Sequence, residues 1–184
     1  IGWVRRSLGP ALGRGDLAVD DGNVVHLAWD RPASPLVGQV VYDNGSVAGP
    51  PQVVGVGTGP SIAVDANRNP AITFYGPDES LRFARLTEAG WIEETISTDP
   101  LFAVDRSGHG APVVFDSEGR PLVLHRRAMG PLRLYRREHD GSWSLRTLAD
   151  EGYWVGDIAV DPLGVIHVVW GGEGYDGEPA LLLA

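Results

Sequence analysis

"GDIAVDPLGVIHVVWG", Gly156 to Gly171, is written a second time in the same chain as "GDLAVDDGNVVHLAWD", Gly15 to Asp30. Each copy reads as an apolar strand ending in Asp, a short turn and a second apolar strand. Two further segments keep this order: "PSIAVDANRNPAITFYG", Pro60 to Gly76, and "APVVFDSEGRPLVLHRR", Ala111 to Arg127. The shared acids are Asp20, Asp65, Asp116 and Asp161, spaced by 45, 51 and 45 residues. A period of that size marks a repeat architecture.

A third apolar segment follows in each unit: "GQVVYD" from Gly38, "LRFARL" from Leu81, "LRLYRR" from Leu132 and "PALLLA" from Pro179. A fourth closes three units: "PQVVGV" from Pro51, "WIEETI" from Trp91 and "WSLRTL" from Trp143. Four short strands per repeat is the pattern of a propeller blade. Helical periodicity is missing, and Gly and Pro interrupt every candidate. The last unit lacks its fourth strand, and "GWVRRSL", Gly2 to Leu8, matches "GWIEETI", Gly90 to Ile96. With the ends joined, Asp161 to Asp20 is 43 residues, one further repeat. The expectation is an all-β, four-bladed β-propeller of antiparallel blades, its last blade closed by the N-terminal strand, because closure hides exposed strand edges. The alternative is part of a larger propeller. The chain reads as one domain, 1–184. Blade 1 spans about 14–56, blade 2 about 59–96, blade 3 about 111–148, and blade 4 about 156–184 with 2–8. Asp105 offers a second register for the third unit but strands "PLVLHRR" without a partner, so Asp99 to Gly110 is read as an inserted loop.

The composition fits this reading. Of 184 residues, 43% are hydrophobic and 21% charged, a globular balance, and the 25 Gly and 14 Pro supply turns between short strands. The 15 basic residues are all Arg, and the formal charge of −9 argues against nucleic acid or an anionic membrane as partner. No apolar run approaches the length of a bilayer span. Without Cys, no disulfide holds the fold. The chain starts at Ile1 rather than Met, which is expected of a processed product or of a domain within a larger protein.

The pattern carried by "VDDGNVVHLAW", "VDANRNPAITFY", "FDSEGRPLVLH" and "VDPLGVIHVVW" resembles the repeats of bacterial β-propellers, distantly related to sialidase-like and lectin propellers. It covers essentially the whole chain. The resemblance implies the fold and a secreted or cell-surface setting. It does not imply one function, since propellers host enzymes, lectins and scaffolds. The sialidase box is present only in degraded form at "HDGSW", His139 to Trp143.

The four repeated Asp residues read as turn caps, because a carboxylate opening a tight turn accepts backbone N–H groups just ahead of it. Trp3, Trp91 and Trp143 read as packing on the neighbouring turn, and Trp29, Phe74 and Trp170 as core between blades. His26 and His167 occupy matching places that elsewhere hold Ala71 and Leu122, so they read as packing or a partly exposed face rather than metal ligands. Arg126, Arg127, Arg133, Arg136 and Arg137 read as a solvated face balancing acids such as Glu93 and Glu94. The alternative is an anion site.

The candidate ligand site is the end of the blades where the loops into first strands gather. It comprises Tyr153, Trp154, Tyr175, Asp157, Asp16 and His109. Rings beside carboxylates in Gly-rich loops suit sugar recognition, with the ring over C–H groups and the acid accepting hydroxyl hydrogens. Asp16, Ser61 and Asp157 are expected near the mouth of a central channel, with Pro112 in the fourth place. No nucleophile elbow, Cys nucleophile, His-Glu-x-x-His or phosphate loop is present. No cofactor or metal is expected, and catalysis is not. The leading expectation is therefore a non-catalytic binding propeller for a glycan. The alternatives are a protein-interaction module of a larger secreted protein, and a glycan-processing enzyme.

Overall fold

In the computed structural model, residues 7–12, 15–34, 37–45, 50–98, 110–126, 130–150, 154–173 and 179–183 are described. They form fifteen strands in four antiparallel meanders. Sheet 1 holds β1 (Gly15–Val19), β2 (Val25–Ser34), β3 (Val37–Asn44) and β4 (Gln52–Val56). Sheet 2 holds β5 (Thr58–Val64), β6 (Pro70–Tyr75), β7 (Leu81–Thr87) and β8 (Gly90–Ser97). Sheet 3 holds β9 (Val113–Phe115), β10 (Pro121–Arg126), β11 (Leu132–Arg137) and β12 (Trp143–Ala149). Sheet 4 holds β13 (Trp154–Val160), β14 (Ile166–Glu173) and β15 (Pro179–Leu183). The inserted segment expected at Asp99 to Gly110 lies, except for Gly110, outside the described residues.

The turn after each first strand shows why the sequence repeats. Asp161 Oδ1 accepts the N–H groups of Leu163 at 2.8 Å and Val165 at 2.9 Å. Asp116 does the same with Glu118 and Arg120, and Asp65 with Asn67 and Asn69. Asp20 takes the N–H of Val24 at 2.8 Å. Three residues beyond each Asp the backbone enters the left-handed region, at Asn23, Arg68, Gly119 and Gly164. Gly and Asn adopt that conformation at little cost. Arg68 is held there with its guanidinium donating to Asp21 of the neighbouring turn at 2.6 Å. The acids are thus turn caps, as expected.

Among the described residues the core is divided. Three apolar layers lie between successive sheets. Ala28, Val40 and Tyr42 of sheet 1 meet Ile62, Ile72 and Phe74 of sheet 2. Ala71 and Phe83 of sheet 2 meet Val113, Val123 and Tyr135 of sheet 3. Leu122, Leu124 and Leu134 of sheet 3 meet Ile158, Val168 and Trp170 of sheet 4. Trp91 stands edge-on to Tyr42 with ring centroids 5.2 Å apart, and Trp143 edge-on to Phe83 at 5.3 Å. Each of these outer-strand tryptophans therefore reaches the preceding sheet. Trp29, Phe74 and Trp170 are buried.

First strands adjoin in chain order, β1 with β5, β5 with β9 and β9 with β13. The described residues do not pack β13 on β1 in the same way, so among them the propeller-like series of four sheets is not closed. The strand expected at Gly2 to Leu8 lies almost wholly outside the described residues, as does Trp3.

Candidate functional site

Each first strand begins at the end of the sheets where the candidate ligand residues were expected. The dipeptide Gly-Asp opens this region twice, at Gly15–Asp16 and Gly156–Asp157. In sheet 1 the Asp16 carboxylate is fully engaged. Oδ1 accepts the N–H of Leu17 at 2.8 Å. Oδ2 accepts the Ser61 hydroxyl and the Ile62 N–H, both at 2.9 Å. These last two donors belong to sheet 2, so Asp16 ties β1 to β5. Asp30 makes a second tie, accepting the N–H of Gly59 at 3.1 Å.

Asp157 has a different environment. Its side chain is exposed, and Oδ1 accepts the N–H of Ile158 at 2.9 Å. No other partner for it stands among the described residues. A register shift between Val155 and Asp157 sets its direction. Gly156 makes that shift possible, since a Cβ there would lie 1.9 Å from the carbonyl oxygen of Val169. Trp154 begins the same strand, its backbone paired with Gly171. The structure therefore joins Asp16 to Ser61 and leaves Asp157 apart from them. Tyr153, Tyr175 and His109 lie outside the described residues.

The two histidines divide between packing, at His26, and an exposed face, at His167. His26 is buried, with Nδ1 at 2.8 Å from the Tyr42 hydroxyl and Nε2 at 3.4 Å from Asp20. Burial, with Asp43 and Asp20 nearby, pushes the Tyr42 hydroxyl up to about 12. His167 sits 3.3 Å from Asp161 at the matching place in sheet 4. Among the described residues no group of three or more His, Asp or Glu side chains is set to hold a metal ion. Two members of the basic cluster are balanced by acids. Arg137 donates to Glu94 across sheets 2 and 3 at 2.7 Å, and Arg136 to Glu138 at 3.0 Å.

One feature was not read from the sequence. A groove of about 470 Å³ runs between sheets 2 and 3 at the opposite end, beside the Asp-capped turns. Phe83 and Phe115 line it, with Arg85, Glu88, Arg120 and His139. Arg120 pairs with Asp116 at 2.8 Å and Glu118 at 3.1 Å, and His139 with Glu118 at 3.1 Å. Burial pushes the Asp116 carboxyl up. Its hydrogen bonds from the backbone and the Arg120 guanidinium outweigh that and hold it below the usual carboxylate range. Arg85 is exposed and has no ion pair among the described residues. The signal was present in the turn sequences, but those residues also satisfy the turns, which hides any second use.

Chemically, the described end offers hydrogen-bond acceptors and backbone donors. No protein-family model matches the chain, and no curated protein does. Solved structures share its fold. One is a protein of unknown function from Dyadobacter fermentans, with a TM-score of 0.59 and 12% identity over 92% of this chain and 59% of that one. Another is an engineered GH43 glycoside hydrolase with endo-xylanase and exo-arabinofuranosidase activity, with a TM-score of 0.53 and 16% identity over 92% of this chain and 36% of that one. A fucose lectin from Kordia zhangzhouensis is a weaker match, with a TM-score of 0.46 and 11% identity over 74% of this chain and all of that one. The chain thus spans only part of the length of the first two. The likeness is one of fold, a distant resemblance to β-propellers in an all-β protein of four antiparallel sheets.

Proposed function

We propose that the protein is a non-catalytic, carbohydrate-binding module whose site lies at the end where β13 begins. Asp157 carries this reading. Its copy Asp16 spends both oxygens inside the protein, whereas Asp157 is exposed with Oδ2 open to a ligand. A carboxylate oxygen accepts sugar hydroxyls well, and such charge-assisted bonds are the stronger kind. Trp154, three residues earlier, would supply the apolar platform, with Tyr153, Tyr175 and His109 completing the site from neighbouring loops. Asp16 would support it from within by fixing β1 to β5. A glycoside hydrolase of the same fold accords with a carbohydrate ligand. A setting at or outside the cell surface, where glycans are displayed, belongs to the same proposal.

The test is a glycan-array screen of the wild type beside Trp154→Ala and Asp157→Asn. Binding by the wild type that falls at least about tenfold in both variants supports the reading, about 1.4 kcal/mol of affinity at each. Silence of the wild type across the array, or equal binding by all three proteins, overturns it.

A further inference from the structure

The end of each sheet beside its Asp-capped turn is filled differently. In sheet 1 His26 of β2 pairs with Asn44 of β3, and Tyr42 stands two residues before Asn44. The same register places Ala71, Arg85 and Phe83 in sheet 2, and Leu122, Arg136 and Leu134 in sheet 3. The His26 ring is buried and lies 2.8 Å from the Tyr42 hydroxyl, so it occupies the space between its strands and the next sheet. Leu122 is buried in the same place in sheet 3. Ala71 is too short to reach as far. The space it leaves belongs to the groove of about 470 Å³ between sheets 2 and 3, which Phe83 and Phe115 also line.

The charge balance changes at the same spot. In sheet 3 Arg136 donates from two guanidinium nitrogens to Glu138, both at 3.0 Å. Arg85 holds the matching place in sheet 2. Arg137 pairs with Trp143 as Leu86 pairs with Trp91, so the residue in the place of Glu138 is Thr87. The Thr87 hydroxyl donates to the Gly90 carbonyl at 2.8 Å and closes its own turn. Arg85 therefore keeps the guanidinium and lacks the acid: it is exposed, with no ion pair among the described residues. The other cations of the groove are engaged, Arg120 with Asp116 and Glu118, Arg137 with Glu94, and His139 with Glu118. Glu88 stands exposed on the rim.

We propose that this groove binds a small monocarboxylate carried on an apolar group. The ligand carboxylate takes on Arg85 the place that Glu138 takes on Arg136, and the planar guanidinium holds it by two parallel hydrogen bonds. The apolar body lies against Phe83 and Phe115, in the space that the Leu122 side chain fills one sheet further on. Glu88 and the net charge of −9 oppose a second negative charge, so a carboxylate fits and a phosphate monoester does not. The volume is in the range of small-molecule sites. Every residue used is described, and the segments of sheets 2 and 3 that are not, 99–109 and 127–129, join those sheets at the opposite end. The site lies away from Asp157 and stands without the carbohydrate-binding reading.

Isothermal titration calorimetry with benzoate, phenylacetate and hydrocinnamate, each taken to about 10 mM, tests it. At least one of the acids is expected to bind with a Kd below about 1 mM, and its amide is expected not to bind. Arg85→Gln, at an exposed position, is expected to weaken binding at least about tenfold with an unchanged far-ultraviolet spectrum. Thr87→Glu keeps the cation and supplies the acid that sheet 3 has, so it is expected to weaken binding by competing for Arg85. Ala71→Leu copies the Leu122 side chain into the groove and is expected to abolish binding. Silence of the wild type towards all three acids overturns the proposal. So does an amide that binds as tightly as its acid, or an affinity that Arg85→Gln leaves unchanged.

Discussion

The strands Gly15–Val19 and Gly156–Val160 differ at one residue in five, Leu17 against Ile158, yet they live in different surroundings. Ile158 is buried between sheets 3 and 4, while its counterpart Leu17 faces outward. Asp16 accepts three hydrogen bonds and ties two sheets, while Asp157 accepts one and stands exposed. The repeated text encodes a strand, a cap and a turn. What a side chain then touches depends on whether a sheet precedes or follows it. Identical residues can hold the fold in one copy and be available for a partner or ligand in the other.

The comparison breaks most readily at its apolar pair. Ile158→Ala removes side-chain volume from the layer between sheets 3 and 4, and the expected cost is about 2–5 kcal/mol. Leu17→Ala removes a side chain already mostly in water, and the expected cost is within about 0.5 kcal/mol. Urea unfolding measures both. Equal losses would mean that Leu17 is covered by the chain itself, and that sheet 1 has no free face.

The acids give a smaller separation. Asp16→Ala leaves the Ser61 hydroxyl and the Ile62 N–H without their acceptor at a part-buried junction, at a cost of about 1–3 kcal/mol. Asp157→Ala leaves one adjacent N–H exposed to water, and a change within about 0.5 kcal/mol is expected. The same urea curves report it. A loss at Asp157 as large as that at Asp16 would show that its carboxylate also joins sheets, and would remove the ground for giving it to a ligand.

Much of this fold was legible before any coordinates. Asp20, Asp65, Asp116 and Asp161 each fall where a strand ends, and a turn needs an acceptor there, so local chemistry and long-range period agree. The preference for Asp116 over Asp105 holds for the same reason, since Asp116 caps the β9–β10 turn. Arg137 against Glu94 was legible as charge balance between neighbouring units. The tie from Asp16 to Ser61 was not. Both residues were placed at a channel mouth, but nothing in the sequence says that one carboxylate crosses to the next strand while its copy does not. That depends on the neighbour, and Asp16 has sheet 2 beside it. The exposure of Leu17 was equally hidden, because Leu17 and Ile158 are both aliphatic and hold the same place in the pattern. The groove between sheets 2 and 3 escaped notice because Arg120 and Glu118 already serve a turn.

The smallest expected effect is one of pH, and it belongs to a loop rather than to either Gly-Asp copy. Asp78 accepts the Ser80 hydroxyl at 2.6 Å and the Arg82 guanidinium at 2.9 Å, between β6 and β7. The Ser80 hydroxyl, then Arg82 and the Ser80 N–H, outweigh desolvation and lower its carboxyl to about 2. A carboxyl that ionises more readily folded than unfolded stabilises the protein above its unfolded value, near 3.8, and loses that contribution as pH falls towards 2. Asp78→Asn should therefore lower the melting temperature slightly at neutral pH and make no difference near pH 2, so the two curves converge on acidification. Curves that stay equally far apart from neutral pH down to pH 2 would mean that the ionised carboxylate of Asp78 is not what stabilises this loop, and that the hydrogen bonds from Ser80 and Arg82 contribute nothing that protonation removes.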